Sequence, residues 1–311
     1  MANFTMSGFL LMGFSVKPEL ELIHASLFLV SYMVALAGNI LIITAISIDN
    51  SLHSPMYFFL KHLSLLDLCY ISVTVPRSIY NSFTHSGYIT FGECIVQCFA
   101  FTICGSVETF ILTLMSYDRY VAICFPLRYE IIIDVSTCVH GVLGAWISGV
   151  IAGAMHTAAT FSMHFCGSHI IHQFFCDIPQ IMKLSCSNEY IREVGVSAFT
   201  FLVGSFCITF IGMSYFQIFS TVLKMPSAEG RAKVFSTCLP HLIVVILFIS
   251  TGAFEFLQPP SDSPSALDIF LTIMYTVVPP TLNPMIYSLR NQAIKIAVRK
   301  VFQRRKADLF C

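Results

Sequence analysis

Charged residues are scarce in this sequence: Asp, Glu, Lys and Arg make up 11% of its 311 residues, whereas hydrophobic residues make up 56%. A water-soluble domain has about 25% charged residues, because its surface must be solvated. So low a charge content, with a mean hydropathy of +0.78, excludes an ordinary soluble domain and predicts a protein embedded in lipid. The formal net charge of zero also provides no excess of basic residues for a nucleic-acid partner.

Charges that interrupt the apolar pattern are equally rare along the chain. Seven segments are long enough to cross a hydrocarbon core of about 30 Å as helices. They cover approximately residues 22–48, 55–80, 91–125, 137–161, 194–223, 234–257 and 265–290. The sequence therefore predicts an all-α membrane protein, a seven-transmembrane helix bundle. The odd number of spans and the lack of an internal repeat disfavour a transporter built from two related halves.

Basic residues predict the orientation of the bundle, because Lys and Arg accumulate in cytoplasmic loops. With an extracellular N-terminus, the thirteen on the inner side are Lys61, Arg119, Arg128, Lys224, Arg231, Lys233, Arg290, Lys295, Arg299, Lys300, Arg304, Arg305 and Lys306. The four on the outer side are Lys17, Arg77, Lys183 and Arg192. We therefore expect residues 1–21 to be extracellular, residues 22–290 to form the seven-helix domain and residues 291–311 to be cytoplasmic.

The N-terminal segment lacks the basic start and apolar core of a cleaved signal peptide. We therefore expect the first span to act as the insertion signal. Asn3-Phe4-Thr5 matches the N-glycosylation sequon. It lies on the predicted outer side, where it can be modified.

The segment after the seventh span repeats apolar residues at helical spacing, with basic residues between them. These apolar residues are Ile294, Ala297, Val298, Val301 and Phe302. The pattern predicts a short amphipathic helix lying along an anionic inner leaflet. The alternative is a short basic tail that ends translocation.

Four of the 12 Cys residues lie where an oxidising exterior favours disulfides. Cys94 is at the outer end of the third span, and Cys166, Cys176 and Cys186 are in the loop between the fourth and fifth spans. Four cysteines allow three sets of pairings, and the sequence does not choose among them.

A metal site is the alternative interpretation of this loop. His172, Cys176 and Asp177 are residue types that bind metals, but a thiolate ligand requires Cys176 to be free. A disulfide at Cys176 would remove that ligand, and we favour the structural disulfide.

Ionisable side chains at membrane depth are costly and usually functional. At 1.5 Å per residue, Asp67 in the second span and Glu108 in the third lie about 16–18 Å from the inner boundary. Asn39 and Asn283 fall at similar or slightly shallower depth, so the four predict one internal cluster. Two carboxylates in a dry site cannot both stay charged without a counter-ion. The cluster is interpreted as a site for a cation or a shared proton; the alternative is hydrogen-bonded packing with one carboxyl protonated.

The sixth and seventh spans contain helix breakers. Pro240 precedes His241, and the segment from Val277 to Tyr287 reads VVPPTLNPMIY. Proline removes a backbone hydrogen bond and weakens a helix. Bends are expected here, next to the polar cluster.

These motifs resemble, together and over nearly the whole chain, a rhodopsin-like (class A) G-protein-coupled receptor, and within that class an olfactory (odorant) receptor. The resemblance is carried by Gly38-Asn39, LHSPMYFFLKHLSLLDLCY (52–70), MSYDRYVAICFPLRY (115–129), Trp146, FSTCLPHLIVV (235–245) and PTLNPMIYSLRN (280–291). The second, third and fifth of these stretches are close to olfactory signatures. The Asn-Pro-x-x-Tyr motif alone would indicate only the wider class.

The resemblance implies that the protein binds an odorant and activates a stimulatory, olfactory-type heterotrimeric G protein, raising cyclic AMP. It implies a plasma-membrane location, in the cilia of olfactory sensory neurons. It implies disulfides Cys94–Cys176 and Cys166–Cys186, and no cofactor other than a sodium ion or proton at Asp67 and Glu108. Arg119 would be held by Asp118 at rest and released to meet the G protein.

The residues that the resemblance assigns to this switch are Asp118, Arg119, Tyr120, Tyr215, His241, Asn283, Pro284 and Tyr287. Two positions depart from the family pattern. Ile249 stands where these receptors usually have Tyr, and Pro240 stands where a small polar residue is commoner. Both leave the details of the switch in the sixth span open.

The matching ligand-pocket residues are Phe101, Thr102, Gly105, Ser106, Thr109, Phe199, Thr200, Val203, Ile249, Gly252, Ala253, Phe256, Ile273 and Thr276. None is ionisable. Phe101 stands where amine receptors have an Asp, so an ammonium ligand would lack a partner. The seventh span contains no Lys for a retinal Schiff base. We therefore expect small, neutral, volatile ligands, bound broadly at roughly micromolar affinity or weaker.

Two other classes of function compete with a receptor. A transporter or channel would use Asp67 and Glu108 as a proton relay and would need ionisable residues toward the outer face, where the predicted pocket has almost none. An intramembrane enzyme would need a catalytic motif. No Gly-x-Ser-x-Gly turn and no His-Glu-x-x-His run occurs, and His156 and His241 are interpreted as packing histidines. We therefore do not expect an enzyme.

Overall fold

The computed structural model describes residues 8–12, 18–166, 169–185, 190–257 and 266–309. In chain order its elements are β1 (Gly8–Leu11), α1 (Pro18–Ile48), α2 (Pro55–Thr84), β2 (Tyr88–Thr90), α3 (Phe91–Cys124), α4 (Tyr129–Ile132), α5 (Val135–Phe161), β3 (Ile170–Ile171), α6 (Ile178–Met182), α7 (Ile191–Leu223), α8 (Ala228–Leu257), α9 (Ala266–Thr276), α10 (Val278–Arg290) and α11 (Gln292–Leu309). Two short 3-10 turns, Asn50–Leu52 and Pro126–Arg128, lie in the inner loops.

Six helices in the described part of the chain are long and apolar enough to cross a membrane, namely α1, α2, α3, α5, α7 and α8. They coincide with the first six predicted spans, and the predicted all-α membrane fold with a C-terminal helix is confirmed. Helix ends differ from the spans by a few residues. α8 begins at Ala228 because its first two turns, with Glu229, Arg231 and Lys233, stay helical where hydropathy is low.

The expected continuous seventh span is two helices, α9 and α10, which meet at Val277. Pro279 and Pro280 lie in the first turn of α10, where proline is tolerated because the first N–H groups of a helix have no partner within it. They cannot donate to the last carbonyl groups of α9, so the hydrogen-bond ladder is interrupted there. A third proline, Pro284, lies inside α10. The break lies in the proline-rich segment, where the sequence predicted a weakened helix.

A small sheet on the outer side was not predicted. β1 pairs antiparallel with β2 and parallel with β3, giving the order β2-β1-β3. Phe9 of β1 is buried and packs edge-on against Phe165 at 5.7 Å. The described part of the N-terminal segment is therefore tied to the outer loops, where the sequence predicted only an extracellular segment.

α3 is the central helix of the bundle and packs against α2, α5, α7 and α8. Its approach to α5 depends on two small residues of α5. A Cβ atom at Gly149 would lie 2.4 Å from Val107 Cγ2, and one at Gly153 would lie 2.9 Å from Ile103 Cγ1. Small residues four apart let helices approach closely in lipid. Apolar side chains such as Phe206 (71% exposed) cover the outside of the bundle, as expected where lipid is the solvent.

Candidate functional site

The inner end of α3 holds a buried ion pair. The Asp118 carboxylate accepts a hydrogen bond from Arg119 Nε at 2.8 Å through Oδ2, and a second guanidinium nitrogen also donates to Oδ2. Its other oxygen accepts from the Tyr129 hydroxyl at 2.6 Å. The Asp118 side chain is 1% exposed and that of Arg119 is 16% exposed. Three donors therefore compensate a charge that would otherwise be costly to bury.

Sequence reasoning identified Asp118 and Arg119 but missed Tyr129 as their partner. Tyr129 begins α4 in the inner loop, and burial, together with its hydrogen bond to Asp118, raises the pKa of its hydroxyl. The hydroxyl therefore stays protonated and donates to the carboxylate. A Tyr eleven residues after an Asp carries no local signal, because the contact depends on how the loop folds back.

A second polar link joins α3, α7 and α8. His241 Nε2 lies 3.1 Å from the carbonyl oxygen of Leu112, which can only accept, so Nε2 carries the proton. The neutral ring then accepts at Nδ1 from the Tyr215 hydroxyl, 2.7 Å away. Tyr215 and His241, both predicted switch residues, are thus brought together, and their rings stack at 5.7 Å. His241 follows Pro240, so the link lies where α8 lacks a backbone donor.

The predicted internal cluster is only partly joined by hydrogen bonds. Asn283 Nδ2 donates to both oxygens of Asp67, at 3.0 and 3.2 Å. Asn39 Nδ2 instead donates to the carbonyl oxygens of Ala35 and Pro280, both at 3.0 Å. Glu108 is buried and lies close enough to Asp67 for the two carboxyl groups to repel each other.

Several buried oxygen atoms near this cluster accept no hydrogen bond from the described residues. They are Asn39 Oδ1, Glu108 Oε1, Asn283 Oδ1 and the Tyr287 hydroxyl. Carboxylate and amide oxygens are ligands that hard cations prefer. The donor set therefore fits a small cation, and it also fits a proton shared between two carboxyl groups.

On the outer side, the Cys94–Cys176 disulfide ties α3 to the loop between α5 and α7. This pairing confirms the one that the resemblance implied and leaves Cys176 no thiolate for a metal. Cys166 is also disulfide-bonded, and its backbone N–H donates to Leu184 O at 3.1 Å. Its expected partner, Cys186, lies outside the described residues, so that pairing stays a prediction. The sequon at Asn3 also lies outside them.

The loop segment around Cys176 enters the bundle as an aromatic plug, formed by Phe174 and Phe175. Phe175 is fully buried, and its ring lies 5.1 Å from that of Phe101 and 6.3 Å from that of Tyr275. The Cys176 N–H donates to Gln97 Oε1 at 2.7 Å, which fixes the segment to α3. The His172–Asp177 stretch is thus a roof over the outer half of the bundle.

Most predicted ligand residues are partly buried. They are Phe101, Thr102, Gly105, Ser106, Thr109, Thr200, Val203, Ile249, Gly252 and Ile273. Thr276 is fully buried, whereas Phe199 is 55% exposed on the outer face of α7 and Ala253 is also exposed. The side chain of Phe256 lies outside the described part of the structure.

The hydroxyl groups in this region differ in their free hydrogen-bonding capacity. Thr102 and Thr109 donate to backbone carbonyl oxygens of α3, each at 2.9 Å, and Thr276 donates within α9 at 2.7 Å. Their oxygen atoms can only accept further bonds. Ser106 makes no hydrogen bond to any described residue, so its hydroxyl can donate or accept.

A buried ionisable pair near the outer end of α5 and α7 was missed. His156 Nδ1 lies 2.5 Å from Glu193 Oε1, and its Nε2 lies 3.1 Å from the Thr200 hydroxyl. Ser197 also donates to Glu193, at 3.2 Å. A sequence signal existed, since residues 193, 197 and 200 share one helical face. His156, interpreted from the sequence as a packing histidine, thus has a buried carboxylate partner.

Asp177 carries a second buried carboxyl, in the outer loop. Its Oδ2 accepts from the Tyr275 hydroxyl at 3.4 Å. Burial raises the pKa of this carboxyl to about 7, although Tyr275 and Lys183 act in the opposite direction. The charge of the outer loop at Asp177 therefore changes near neutral pH.

This chain is similar to known proteins in both sequence and fold. A family model described as olfactory receptor matches residues 28–305. Olfactory receptor 14J1 of Homo sapiens is 58% identical over 305 residues, covering 98% of this chain and 95% of that protein. Olfactory receptor 14A16 of Homo sapiens is 50% identical over 299 residues, covering 96% of each. The crystal structure of squid rhodopsin superposes with a TM-score of 0.73 at 18% identity, over 93% of this chain and 87% of that one, which shows the shared fold.

We expect Asp177→Asn to reduce the pH dependence of stability. Between about pH 4 and about pH 7 the folded protein keeps a proton on Asp177 that the unfolded chain has released, so the free energy of unfolding falls as pH rises across this window. Asn has the same shape and no charge. The thermal midpoint of the full-length protein in nanodiscs should therefore fall less between about pH 4.5 and about pH 7.5 in the variant than in the wild type.

Asp134→Asn is the matched control. Asp134 is the N-cap of α5, and hydrogen bonds from Thr137 lower the pKa of its carboxyl. Its replacement should lower stability at neutral pH, where Asp177→Asn should raise it. Identical pH profiles for the wild type and Asp177→Asn would contradict the assignment.

Proposed function

Because the chain belongs to the olfactory receptor family, we propose that it detects small, neutral, volatile ligands. We further propose that it activates a stimulatory, olfactory-type G protein that raises cyclic AMP. Members of this family are receptors and not enzymes. Family membership establishes a multi-pass membrane receptor for an odorant that couples to a G protein. The ligand class, the type of G protein and a location in the ciliary plasma membrane are the proposal.

The observation that carries the proposal is the Asp118–Arg119 pair at the inner end of α3. A guanidinium held side-on by one carboxylate can exchange that partner for acceptors on a docked helix. Because Tyr129 on α4 shares the same carboxylate, movement of the inner loop and release of Arg119 are coupled. The pair therefore has two arrangements: in the first, Arg119 binds Asp118, and in the second, Arg119 binds the G protein.

The hydrogen bond between α8 and α3 can transmit a movement of the outer half of α8 to the Asp118–Arg119 pair. His241 connects α8 to the α3 backbone at Leu112, six residues before Asp118. A shift of α8 about Pro240 therefore changes the packing of α3 near its inner end. Tyr287 lies buried, with a hydroxyl that is unpaired among the described residues, so it can form a new bond in the active arrangement.

The chemistry of the pocket supports a neutral ligand. The predicted lining residues offer apolar surface and hydroxyl groups but no ionisable side chain, and Phe175 of the outer loop packs against Phe101. A charged ligand would be desolvated there without a partner. A neutral ligand of about a dozen heavy atoms would bind mostly by burial, at roughly micromolar affinity or weaker.

The alternative of a proton relay has one observation in its favour. Glu193, His156 and Asp177 are buried ionisable groups near the outer end, where the sequence suggested almost none. They are nevertheless engaged in local hydrogen bonds to Thr200, Ser197 and Tyr275. The family match decides for the receptor, and a proton flux in sealed vesicles would reopen the alternative.

We expect Arg119→Ala to abolish ligand-dependent cyclic AMP production while surface expression persists. The substitution removes the group that meets the G protein but leaves the helix intact. The measurement is cyclic AMP accumulation in cells supplied with an olfactory-type stimulatory G protein. Arg128→Ala, in the exposed inner turn, removes the same charge and should signal normally; a full response from Arg119→Ala would contradict the proposal.

Ser106→Ala should weaken the response to an oxygen-containing agonist by about threefold to tenfold. The reason is the loss of one neutral hydrogen bond, which contributes about 0.5–1.5 kcal/mol. The readout is the half-maximal agonist concentration. An agonist with the same carbon skeleton and no oxygen is the control and should be unaffected; an equal loss for both agonists would show that Ser106 only shapes the cavity.

The polar cluster at Asp67 and Glu108 is proposed to hold a sodium ion or a shared proton in the resting state. Support comes from the unpaired buried oxygen atoms of Asn39, Glu108 and Asn283. Sodium should raise the thermal midpoint of the purified receptor more than choline does, and Asp67→Asn should remove that difference. Dependence on pH without dependence on sodium would select the proton, and insensitivity of the wild type to both would contradict the site.

A further inference from the structure

A cavity of about 350 Å³ lies between α1, α10 and α11, away from the predicted odorant pocket. Its walls are apolar, with Val34 and Leu41 from α1, Met285 from α10 and Val298 from α11. Val34 is 36% exposed and Met285 is 42% exposed, so the cavity opens toward lipid as a groove. The two hydroxyl groups on its α10 wall, Thr281 and Ser288, donate to the backbone carbonyl oxygens of Val277 and Pro284.

The groove runs along the depth of one leaflet. The α1 wall of the groove runs from Val34 to Ile42, eight residues further along the chain, which is about 12 Å along the helix axis. The hydrocarbon core is about 30 Å thick, so one leaflet is about 15 Å deep. An acyl chain of an inner-leaflet lipid therefore matches the groove in both direction and length. The volume is also within the range of about 300–1,000 Å³ typical of ligand sites.

Two cationic side chains lie at the inner end of the groove. Lys295 and Arg299 are one turn apart on α11 and line the cavity, and none of its described lining residues is acidic. Neither forms a salt bridge with a described side chain. Lys300 differs, because its Nζ lies 2.7 Å from Asp49 Oδ2, and hydrogen bonds from Lys300 and Ser51 lower the pKa of Asp49 to about 2. Lys300 is thus structural, whereas Lys295 and Arg299 line the groove and are available for an anion at headgroup depth.

We propose that this groove binds one anionic glycerophospholipid of the inner leaflet, with an acyl chain between α1 and α10 and its phosphate held by Lys295 and Arg299. Arg and Lys together suit a phosphate, through a bidentate contact and a point charge. The proposal is more specific than attraction of a basic helix to an anionic surface, because it predicts one retained lipid at one place. It is independent of the odorant and of the type of G protein.

Native mass spectrometry of the full-length receptor tests the charge recognition. The probes are phosphatidylserine and phosphatidylcholine with identical acyl chains. We expect one phosphatidylserine to be retained over phosphatidylcholine. Lys295→Gln/Arg299→Gln should weaken its retention by about 30-fold, since each basic side chain near the membrane surface contributes about 1 kcal/mol.

Lys224→Gln/Lys233→Gln is the matched control, because it removes two exposed inner cations elsewhere and should leave retention unchanged. Equal loss in both double variants, or equal retention of the two lipids, would overturn the proposal in favour of non-specific attraction.

Photo-crosslinking tests the position of the acyl chain without changing any charge. Phosphatidylserine with a diazirine on its acyl chain should label peptides of α1 and α10 in nanodiscs. Val34→Trp fills the groove and should suppress that labelling, while Leu143→Trp on the exposed face of α5 should not. Labelling that maps elsewhere, labelling of a second copy of the chain, or labelling that persists in Val34→Trp would overturn the proposal.

Discussion

The carboxylate of Asp118 accepts hydrogen bonds from the guanidinium of Arg119 and the hydroxyl of Tyr129 at the inner end of α3. A buried charge is stable only with such donors around it. The carboxylate therefore fixes the direction of Arg119 and the position of the inner loop together. An arrangement in which Arg119 turns toward a partner has to give up part of this set. Under the proposed function, the free energy of that exchange sets the balance between resting and active packings.

α3 carries this pair and the outer disulfide on one continuous helix. Cys94 and Arg119 are 25 residues apart, about 37 Å along the axis. Near the outer end, Phe101 contacts the plug through Phe175. Glu108 lies in the middle of the helix. Under the proposed function, a ligand in contact with Phe101 would act on the same helix whose far end holds Arg119, in addition to the link through His241.

Burial in lipid could be predicted from the sequence, whereas pairing across loops could not. Hydropathy located the long helices, prolines located the break between α9 and α10, and helical depth placed Asp67 beside Asn283. The Cys94–Cys176 pairing came only from the family resemblance. The bond from Tyr129 to Asp118, the pairing of β1 and the meeting of His156 with its carboxylate partner each join distant segments, where neither hydropathy nor helical period carries information.

The most direct test of this account is the basal rate of nucleotide exchange on a stimulatory heterotrimer, measured for purified wild type and Tyr129→Phe in nanodiscs without ligand. A hydrogen bond to a charged group contributes about 1.5–3 kcal/mol. If the Asp118 set restrains the resting packing, its partial loss should raise basal exchange by about tenfold or more. An unchanged or lower basal rate, with normal folding and normal binding of an agonist, would show that this carboxylate does not hold the switch.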